Sequence, residues 1–194
     1  MKSNLIKLLP FALLGAMVAT ICDANHVFTE ALSYPNPFLF GQASFVFPGF
    51  VIAFLFMGFN YLFAPSFFPK AVSNTQSTSA GSLTVFVESL LLFMMVYLVS
   101  GFGNHEPKLL AIIFYVSFLI RLAFTYERMF ILLFAIILGI GGMVVEGAMT
   151  QFDLVHYREP EVFGVPYWLG GVYMHGALAL REGMRYFVYQ KIKS

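Results

Sequence analysis

Six apolar stretches, each close to the length of a membrane-spanning helix, limit what this chain can fold into. They cover residues 5–22, 44–64, 82–102, 109–125, 129–149 and 165–188. A helix needs about 20 mostly apolar residues to cross the hydrocarbon layer, and only helices and closed barrels satisfy their backbone groups there. None of the six stretches alternates between apolar and polar residues as a barrel strand does. We therefore predict an all-α bundle of six transmembrane helices.

The composition agrees with a lipid environment, because 59% of the 194 residues are hydrophobic and only 11% are charged. A soluble domain has about a quarter of its residues charged. The formal net charge of +1 offers no basic surface to a nucleic acid. Cys22 is the only cysteine, which excludes an intramolecular disulfide and any site built from paired cysteines. The length allows one domain, residues 1–194.

The segments between the apolar stretches differ in composition. Residues 23–43 contain SYPNPFLFGQ and are predicted to form a structured loop, whereas residues 65–81 contain SNTQSTSAG and are predicted to form a polar linker. Only residues 126–128 separate the fourth and fifth stretches, which requires a tight helical hairpin. We find no internal sequence repeat, and this argues against a transporter built from two similar halves.

The positive residues predict the orientation of the bundle. If the N-terminus is cytoplasmic, only Lys108 and Arg158 lie on the outer side. The nine other Lys and Arg residues then lie on the inner side, namely Lys2, Lys7, Lys70, Arg121, Arg128, Arg181, Arg185, Lys191 and Lys193. Because cytoplasmic loops are enriched in Lys and Arg, we predict that both termini are cytoplasmic.

A cleaved signal peptide is the alternative interpretation of the first stretch, and it would leave five spans. Lys2 and Lys7 precede an apolar run that ends at small residues, as in a signal peptide. The run is long for a signal peptide, however, and the junction after Asp23 is a poor cleavage site. We therefore favour a first transmembrane helix.

Polar residues inside a hydrocarbon layer are costly and mark candidate functional sites. Asp23 and His26 share one face at the outer end of the first helix, where they either cap the helix or contact a ligand. No nearby residues complete a metal site around them. Glu88 lies about two turns inside the third helix, where it either pairs with Arg121 or contacts a ligand in a cavity.

Two further polar residues lie in glycine-rich helices, where small residues let neighbouring helices approach closely. Glu146 follows GIGGMVV near the outer end of the fifth helix, and it is either an interface anchor or a contact to a ligand. His175 lies near the middle of the sixth helix and is either a packing group or a functional one. The complete set predicted to bind a ligand is Asp23, His26, Gln42, Glu88, Glu146, Trp168, Gly171 and His175.

No familiar catalytic motif is present in the sequence. It contains no histidine motif of a di-iron desaturase, no GxSxG turn and no glycine-rich phosphate loop. We predict no cofactor and no metal. The alternative is a membrane enzyme that acts on a lipid or isoprenoid, with Glu88, Glu146 and His175 as acid and base. Such groups must come within hydrogen-bond reach of one another, and their predicted depths differ.

Two stretches resemble the Insig (insulin-induced gene) family. Residues 11–50 contain an apolar helix, a proline-containing loop and an aromatic entry to the second helix at Phe45, Phe47 and Pro48. Residues 149–187 are similar to the family's penultimate loop and last helix. The matching residues there are Tyr157, Pro160, Trp168, Leu169, Gly170, Gly171, Met174, Gly176 and Arg181.

This resemblance implies a non-catalytic protein of six spans that binds a sterol or another lipid in a central cavity. Animal members hold a sterol-sensing partner in the endoplasmic reticulum, and their acidic, asparagine-rich segment has no counterpart in GFGNHEPK (101–108). We therefore expect a distant bacterial member in the inner membrane, or an endoplasmic reticulum protein if the source is eukaryotic. The expected ligand partner is a diacylglycerol-like or sterol-like membrane lipid. A membrane protein or a second copy of the chain is a further expected partner.

Overall fold

The computed structural model describes residues 2–67 and 79–189, and the side chains of residues 6–63 and 79–189. Most of the predicted linker 65–81 lies outside these residues, as do Lys70, Lys191, Lys193 and the side chain of Lys2. The described helices are α1 (Lys2–Phe28), α2 (Val46–Phe67), α3 (Leu83–Phe102), α4 (Pro107–Ala123), α5 (Arg128–Gln151) and α6 (Trp168–Gly183), which continues as a π-helical segment (Met184–Val188). Two short strands, β1 (Leu32–Ser33) and β2 (His156–Tyr157), pair antiparallel.

The helices agree with the six predicted apolar stretches, and the largest difference is at the end of the first. Helix α1 continues beyond residue 22 to Phe28, because its last polar side chains find partners inside the bundle. Asp23 accepts hydrogen bonds from the following loop, and the Asn25 side chain donates to the Leu98 carbonyl at 3.2 Å. The predicted tight hairpin is present between α4 and α5, where Glu127 adopts a left-handed conformation with φ of 54°.

Within the described residues, four helices are long and apolar enough to cross a membrane: Ile6–Phe28, Val46–Phe63, Leu83–Phe102 and Arg128–Gln151. Large apolar side chains cover the outer surface of the bundle; Ile52 and Phe56, for example, are each 68% exposed. Soluble monomers rarely expose apolar surface on this scale. The chain is therefore an integral membrane protein with a helical bundle.

Helix α6 lies at the centre of the bundle, packed against α3, α4 and α5, and most of its residues are buried. Glycines permit this close packing. A Cβ atom at Gly171 would lie 2.8 Å from the Phe114 Cβ of α4, and one at Gly139 of α5 would lie 3.2 Å from the Gly170 carbonyl oxygen. These small residues therefore let two neighbouring helices approach α6, as glycines do in other membrane bundles.

An internal repeat relates α1, α2 and their connecting loop to α5, α6 and theirs. Helix α1 ends at Phe28 and α5 ends at Gln151, so the offset (151 minus 28) is 123 residues. Residues at the same offset share rare left-handed backbone conformations: Glu30 and Asp153 have φ of 57° and 59°. The sequence showed no detectable repeat, but the structure contains this structural one, so the argument against a transporter built from two similar halves no longer holds.

The tips of the two connecting loops repeat the same turn. An antiparallel bridge joins Leu39 to Gln42 in the first loop and Val162 to Val165 in the second. Each bridge encloses a Phe-Gly pair with positive φ, 53° and 74° in the first loop and 52° and 82° in the second. Two positive φ angles in a row are characteristic of type I′ turns, which favour glycine.

The two repeats are related by an approximate two-fold axis that passes through the strand pair. Ser33 and His156 occupy equivalent positions in the two repeats, and they pair with each other. Two equivalent residues can be direct neighbours in a two-fold arrangement only where they lie next to the axis. Because α1 and α5 both end at the strands while α2 and α6 both start beyond them, the axis runs along the bundle. The symmetry breaks where Arg158 donates its backbone N–H to the Ala31 carbonyl at 3.0 Å, since the equivalent Pro35 has no N–H to donate.

Candidate functional site

A cavity of about 290 Å³ lies among α1, α2, α3, α5 and α6, near the lower end of the range for small-molecule sites. Most of its wall is apolar, with Phe11, Val18, Phe50, Phe54, Leu90 and Phe93 among the lining residues. The ionisable or phenolic side chains in the lining are Asp23, Tyr34, Tyr97, Glu146 and Tyr173. Among the described residues, no Lys, Arg or His lines this cavity. It is therefore an apolar chamber with acidic and phenolic groups on its wall.

Asp23, near the C-terminal end of α1, is 4% exposed and is fixed by the loop that follows. Its Oδ2 atom accepts hydrogen bonds from the Tyr34 hydroxyl at 2.8 Å and from the Gln42 side-chain amide at 2.7 Å. The same Gln42 amide donates to the Thr20 carbonyl at 2.9 Å. Among the described residues, none donates to the Asp23 Oδ1 atom. This carboxyl group lines the cavity and is the acidic group that α1 contributes to its wall.

Glu146 of α5 is the equivalent residue in the second repeat. Its Oε2 atom accepts a hydrogen bond from the Tyr157 hydroxyl at 3.0 Å, and its Oε1 atom accepts one from the Tyr173 hydroxyl of α6 at 2.8 Å. Asp23 and Glu146 thus each bond to a tyrosine eleven residues further along the chain. The two repeats therefore build two similar acid–tyrosine pairs at one cavity.

The tyrosines of the two loops act as hydrogen-bond donors throughout the physiological pH range. Burial raises the pKa of the Tyr34 hydroxyl above its ordinary value, and the charge of Asp23 raises it further. Burial likewise raises the pKa of the Tyr157 hydroxyl well above its ordinary value, with Glu146 as the next cause. Both phenols stay protonated, so each donates to its carboxyl group.

Three other residues of the predicted set have structural roles near the two connecting loops. Gln42 fixes the Asp23 carboxyl group, as described above. The His26 Nε2 atom lies 2.7 Å from the Ser100 hydroxyl, and the Trp168 indole N–H donates to the Asn104 side-chain oxygen at 2.9 Å. Neither His26 nor Trp168 lines the cavity.

His175 lies between α6 and α4, away from the cavity. Its Nδ1 atom is 2.8 Å from an Arg121 guanidinium nitrogen, and its Nε2 atom is 3.1 Å from the Phe114 carbonyl oxygen. Since arginine only donates, Nδ1 accepts and Nε2 carries the proton. His175 is therefore a neutral packing group. Gly171 also has a packing role, because it lets α6 approach Phe114 of α4 closely.

Glu88 is exposed on the outer surface of α3 and does not line the cavity. The expected ion pair with Arg121 is not formed, because the guanidinium of Arg121 contacts His175 instead. The structure therefore does not bring Glu88, Glu146 and His175 together, and an acid–base mechanism built on these three residues has no geometric basis. Within the described part of the chain, no group of three His, Cys, Asp or Glu side chains is placed to hold a metal ion.

Of the predicted set, Asp23 and Glu146 line the cavity and Gln42 supports one of them. Sequence reasoning missed Tyr34, Tyr157 and Tyr173, which donate to the two carboxyl groups. The signal that could have found the first two is the equal spacing between each acid and its tyrosine in the two repeats.

Comparisons with known proteins identify the fold. No protein-family model matches the chain, and no curated protein sequence matches it. Among solved structures, a mycobacterial Insig homologue, MvINS from Mycobacterium vanbaalenii, is similar with a TM-score of 0.80 and 16% sequence identity over 100% of both chains. A cross-linked trimer of MvINS is similar with a TM-score of 0.75 and 18% identity, covering 94% of this chain and 95% of that one. The resemblance to Insig deduced from the sequence is thereby confirmed at the level of the fold.

Proposed function

We propose that this chain, which has the fold of the mycobacterial Insig homologue, is a distant bacterial Insig-like protein that binds a neutral lipid or sterol-like molecule in its cavity without converting it. The observation that carries the proposal is the distribution of polarity around the cavity. Five helices supply an apolar wall, and Asp23 and Glu146 supply a local polar patch. An amphiphile with a long apolar part and a small polar head matches both regions.

The proposal includes six membrane crossings with both termini in the cytoplasm, and it is supported by the distribution of charge. Lys7, Arg121, Arg128 and Arg185 lie near the helix ends opposite the strand pair, while Arg158 follows strand β2. Cytoplasmic segments are enriched in such residues. In this orientation the strand pair and the acid–tyrosine pairs lie toward the outer leaflet, and a bacterial chain resides in the inner membrane.

In the part of the chain that the structure describes, no acid–base group is assembled at the cavity, and this supports binding rather than catalysis. Each carboxyl group of the cavity accepts from neutral donors, and His175 is held outside the cavity by Arg121. We therefore expect a bound lipid to leave the protein unchanged.

Mass spectrometry of the purified protein tests this function directly. The chain is extracted from its membrane in a mild detergent, and its lipids are identified and counted per protein. We expect about one lipid of defined mass per chain, which diacylglycerol or a sterol displaces. A preparation that holds only random membrane lipid, and that neither diacylglycerol nor a sterol binds, would overturn the proposal.

A lipid carrier is the second candidate, because the internal repeat favours it. Several transporters are built from parallel repeats related by an axis along the membrane normal, with their site at the repeat interface. Here the two repeats also meet at a cavity. Reconstitution in vesicles distinguishes the candidates: a carrier moves fluorescent diacylglycerol between leaflets at a rate that scales with protein, whereas a binding protein leaves that rate at the protein-free level.

Self-association is also part of the proposal, supported by the cross-linked trimer known for MvINS. The exposed apolar surface of the helices offers area for contact with a second copy. The mass of the protein–detergent complex, measured by light scattering, distinguishes a homo-oligomer from a monomer.

A further inference from the structure

The two acid–tyrosine pairs, Asp23 with Tyr34 and Glu146 with Tyr157, indicate which head group a ligand in the cavity has. We infer that Asp23 and Glu146 together bind two nearby hydroxyl groups of one amphiphile, such as the glycerol head of a lipid with a single acyl chain. This inference rests on the proposed function, since it specifies the head group in the same cavity.

The positions of the two carboxyl groups fit a shared head group. They occupy equivalent places in the two repeats, on α1 and α5, and both line one cavity. A head group in this cavity can therefore contact a carboxyl group from each repeat.

Both carboxyl groups keep acceptor capacity toward the cavity. The Asp23 Oδ1 atom receives no hydrogen bond from the described residues, although the residue is only 4% exposed. Each oxygen of Glu146 receives one hydrogen bond, and a carboxylate oxygen accommodates about two. Since both carboxyl groups line the cavity, a hydrogen-bond donor on the ligand can pair with either of them.

The chemistry of the pair favours hydroxyl groups over other head groups. A hydroxyl both donates and accepts, so it can pair with a carboxyl group in either protonation state. An ammonium group only donates, and an ester carbonyl only accepts. The apolar wall formed by residues such as Phe54 and Leu90 then holds the chain of the ligand.

A set of probes that share one 18-carbon chain tests the inference. They are 1-monooleoylglycerol with two hydroxyl groups, oleyl alcohol with one, methyl oleate with none and oleylamine with an ammonium group. Each is titrated into delipidated protein in detergent, and binding is measured by native mass spectrometry. A hydrogen bond to a charged group contributes enough to change affinity about tenfold or more. We therefore expect 1-monooleoylglycerol to bind at least about tenfold tighter than oleyl alcohol, and methyl oleate to bind weakest.

Variants connect this preference to the two acids. Asp23→Asn and Glu146→Gln keep the side-chain size and replace one acceptor oxygen by a donor. Each is expected to lower the preference for 1-monooleoylglycerol over oleyl alcohol at least about threefold, because the loss of one ordinary hydrogen bond lowers affinity by about this factor. Glu88→Gln is the matched control, since Glu88 is exposed outside the cavity, and it is expected to leave the preference unchanged.

The outcomes separate this inference from the function on which it rests. Equal affinities for 1-monooleoylglycerol and oleyl alcohol, tightest binding of oleylamine, or an unchanged preference in both acid variants would each overturn the two-hydroxyl head group while leaving lipid binding intact. Binding of none of the four probes, diacylglycerol or a sterol would overturn the proposed function itself.

Discussion

Gly49 offers a way to fill the cavity without disturbing the bundle. It lies in the first turn of α2 and lines the cavity, and a Cβ atom added there would meet no other atom within 4 Å. The substitution Gly49→Leu therefore places an apolar side chain in free space. Because leucine also favours the helix over glycine by about 1 kcal/mol, we expect the variant to fold and to melt at or above the wild-type temperature.

The effect on lipid binding follows from the size of the new side chain. Leucine adds four carbon atoms, which occupy space that about four methylene groups of a bound chain would otherwise fill. Each buried methylene contributes about 0.8 kcal/mol, so the variant loses about 3 kcal/mol of binding free energy. Since about 1.4 kcal/mol corresponds to a tenfold change, the dissociation constant is expected to rise by about a hundredfold or more.

Gly141→Leu is the matched control for this experiment. Gly141 lies on α5, a Cβ atom there also meets nothing within 4 Å, and the residue does not line the cavity. Competition by native mass spectrometry, with 1,2-dioleoylglycerol as the probe, compares both variants with the wild type. We expect a large loss of affinity in Gly49→Leu and none in Gly141→Leu. Equal affinity in all three proteins would show that lipid binds elsewhere and would refute the assignment of the cavity.

The structure leads to three further predictions. Tyr34→Phe and Tyr157→Phe remove equivalent hydrogen bonds to carboxyl groups and are each expected to cost about 1–3 kcal/mol of unfolding free energy; a loss in thermal stability for only one would contradict their equivalence. The raised pKa of these two phenols favours the neutral form in the folded protein, so the stability they contribute is complete below the unfolded tyrosine pKa of about 10 and is lost as pH rises through the folded values. Melting curves should therefore be insensitive to these groups up to about pH 9, and a phenol titration seen spectroscopically near pH 8 would show the assignment to be wrong. Finally, Arg121→Leu leaves His175 with an unpaired ring nitrogen and is expected to cost about 1–3 kcal/mol of stability, with lipid affinity unchanged; a loss of affinity at unchanged stability would place His175 in the site.

The helices could be predicted from the sequence because apolar length alone determines them. The direction in which a side chain points within an apolar helix could not. Helix α3 is apolar on most faces, so its sequence contains no stripe to show that Glu88 points outward and Tyr97 points into the cavity. His175 was equally ambiguous, since α6 is buried on nearly all sides and either face could have been the cavity side.

The internal repeat escaped sequence reasoning for a related reason. Helices in lipid need only remain apolar, so the two repeats share few identical residues outside the loops. The loops SYPNPFLFG and HYREPEVFG share one tyrosine, one proline and the Phe-Gly pair at equivalent places. The Phe-Gly pair is explained by the turn, which requires two positive φ angles, and the tyrosine by its bond to the acid of its own repeat. Asp23 and Glu146, by contrast, were found from the sequence because charge in an apolar helix is costly.

The location of the bound chain can be measured by photo-crosslinking. A fatty-acyl probe that carries a diazirine near the middle of its chain is bound to the purified protein, irradiated, and located by peptide mass spectrometry. We predict that the label attaches mainly to cavity residues such as Phe54, Leu90 and Met149, and that excess unlabelled lipid prevents it. Labelling confined to outward-facing residues such as Ile52 and Phe56, and insensitive to unlabelled lipid, would contradict a lipid site inside the bundle.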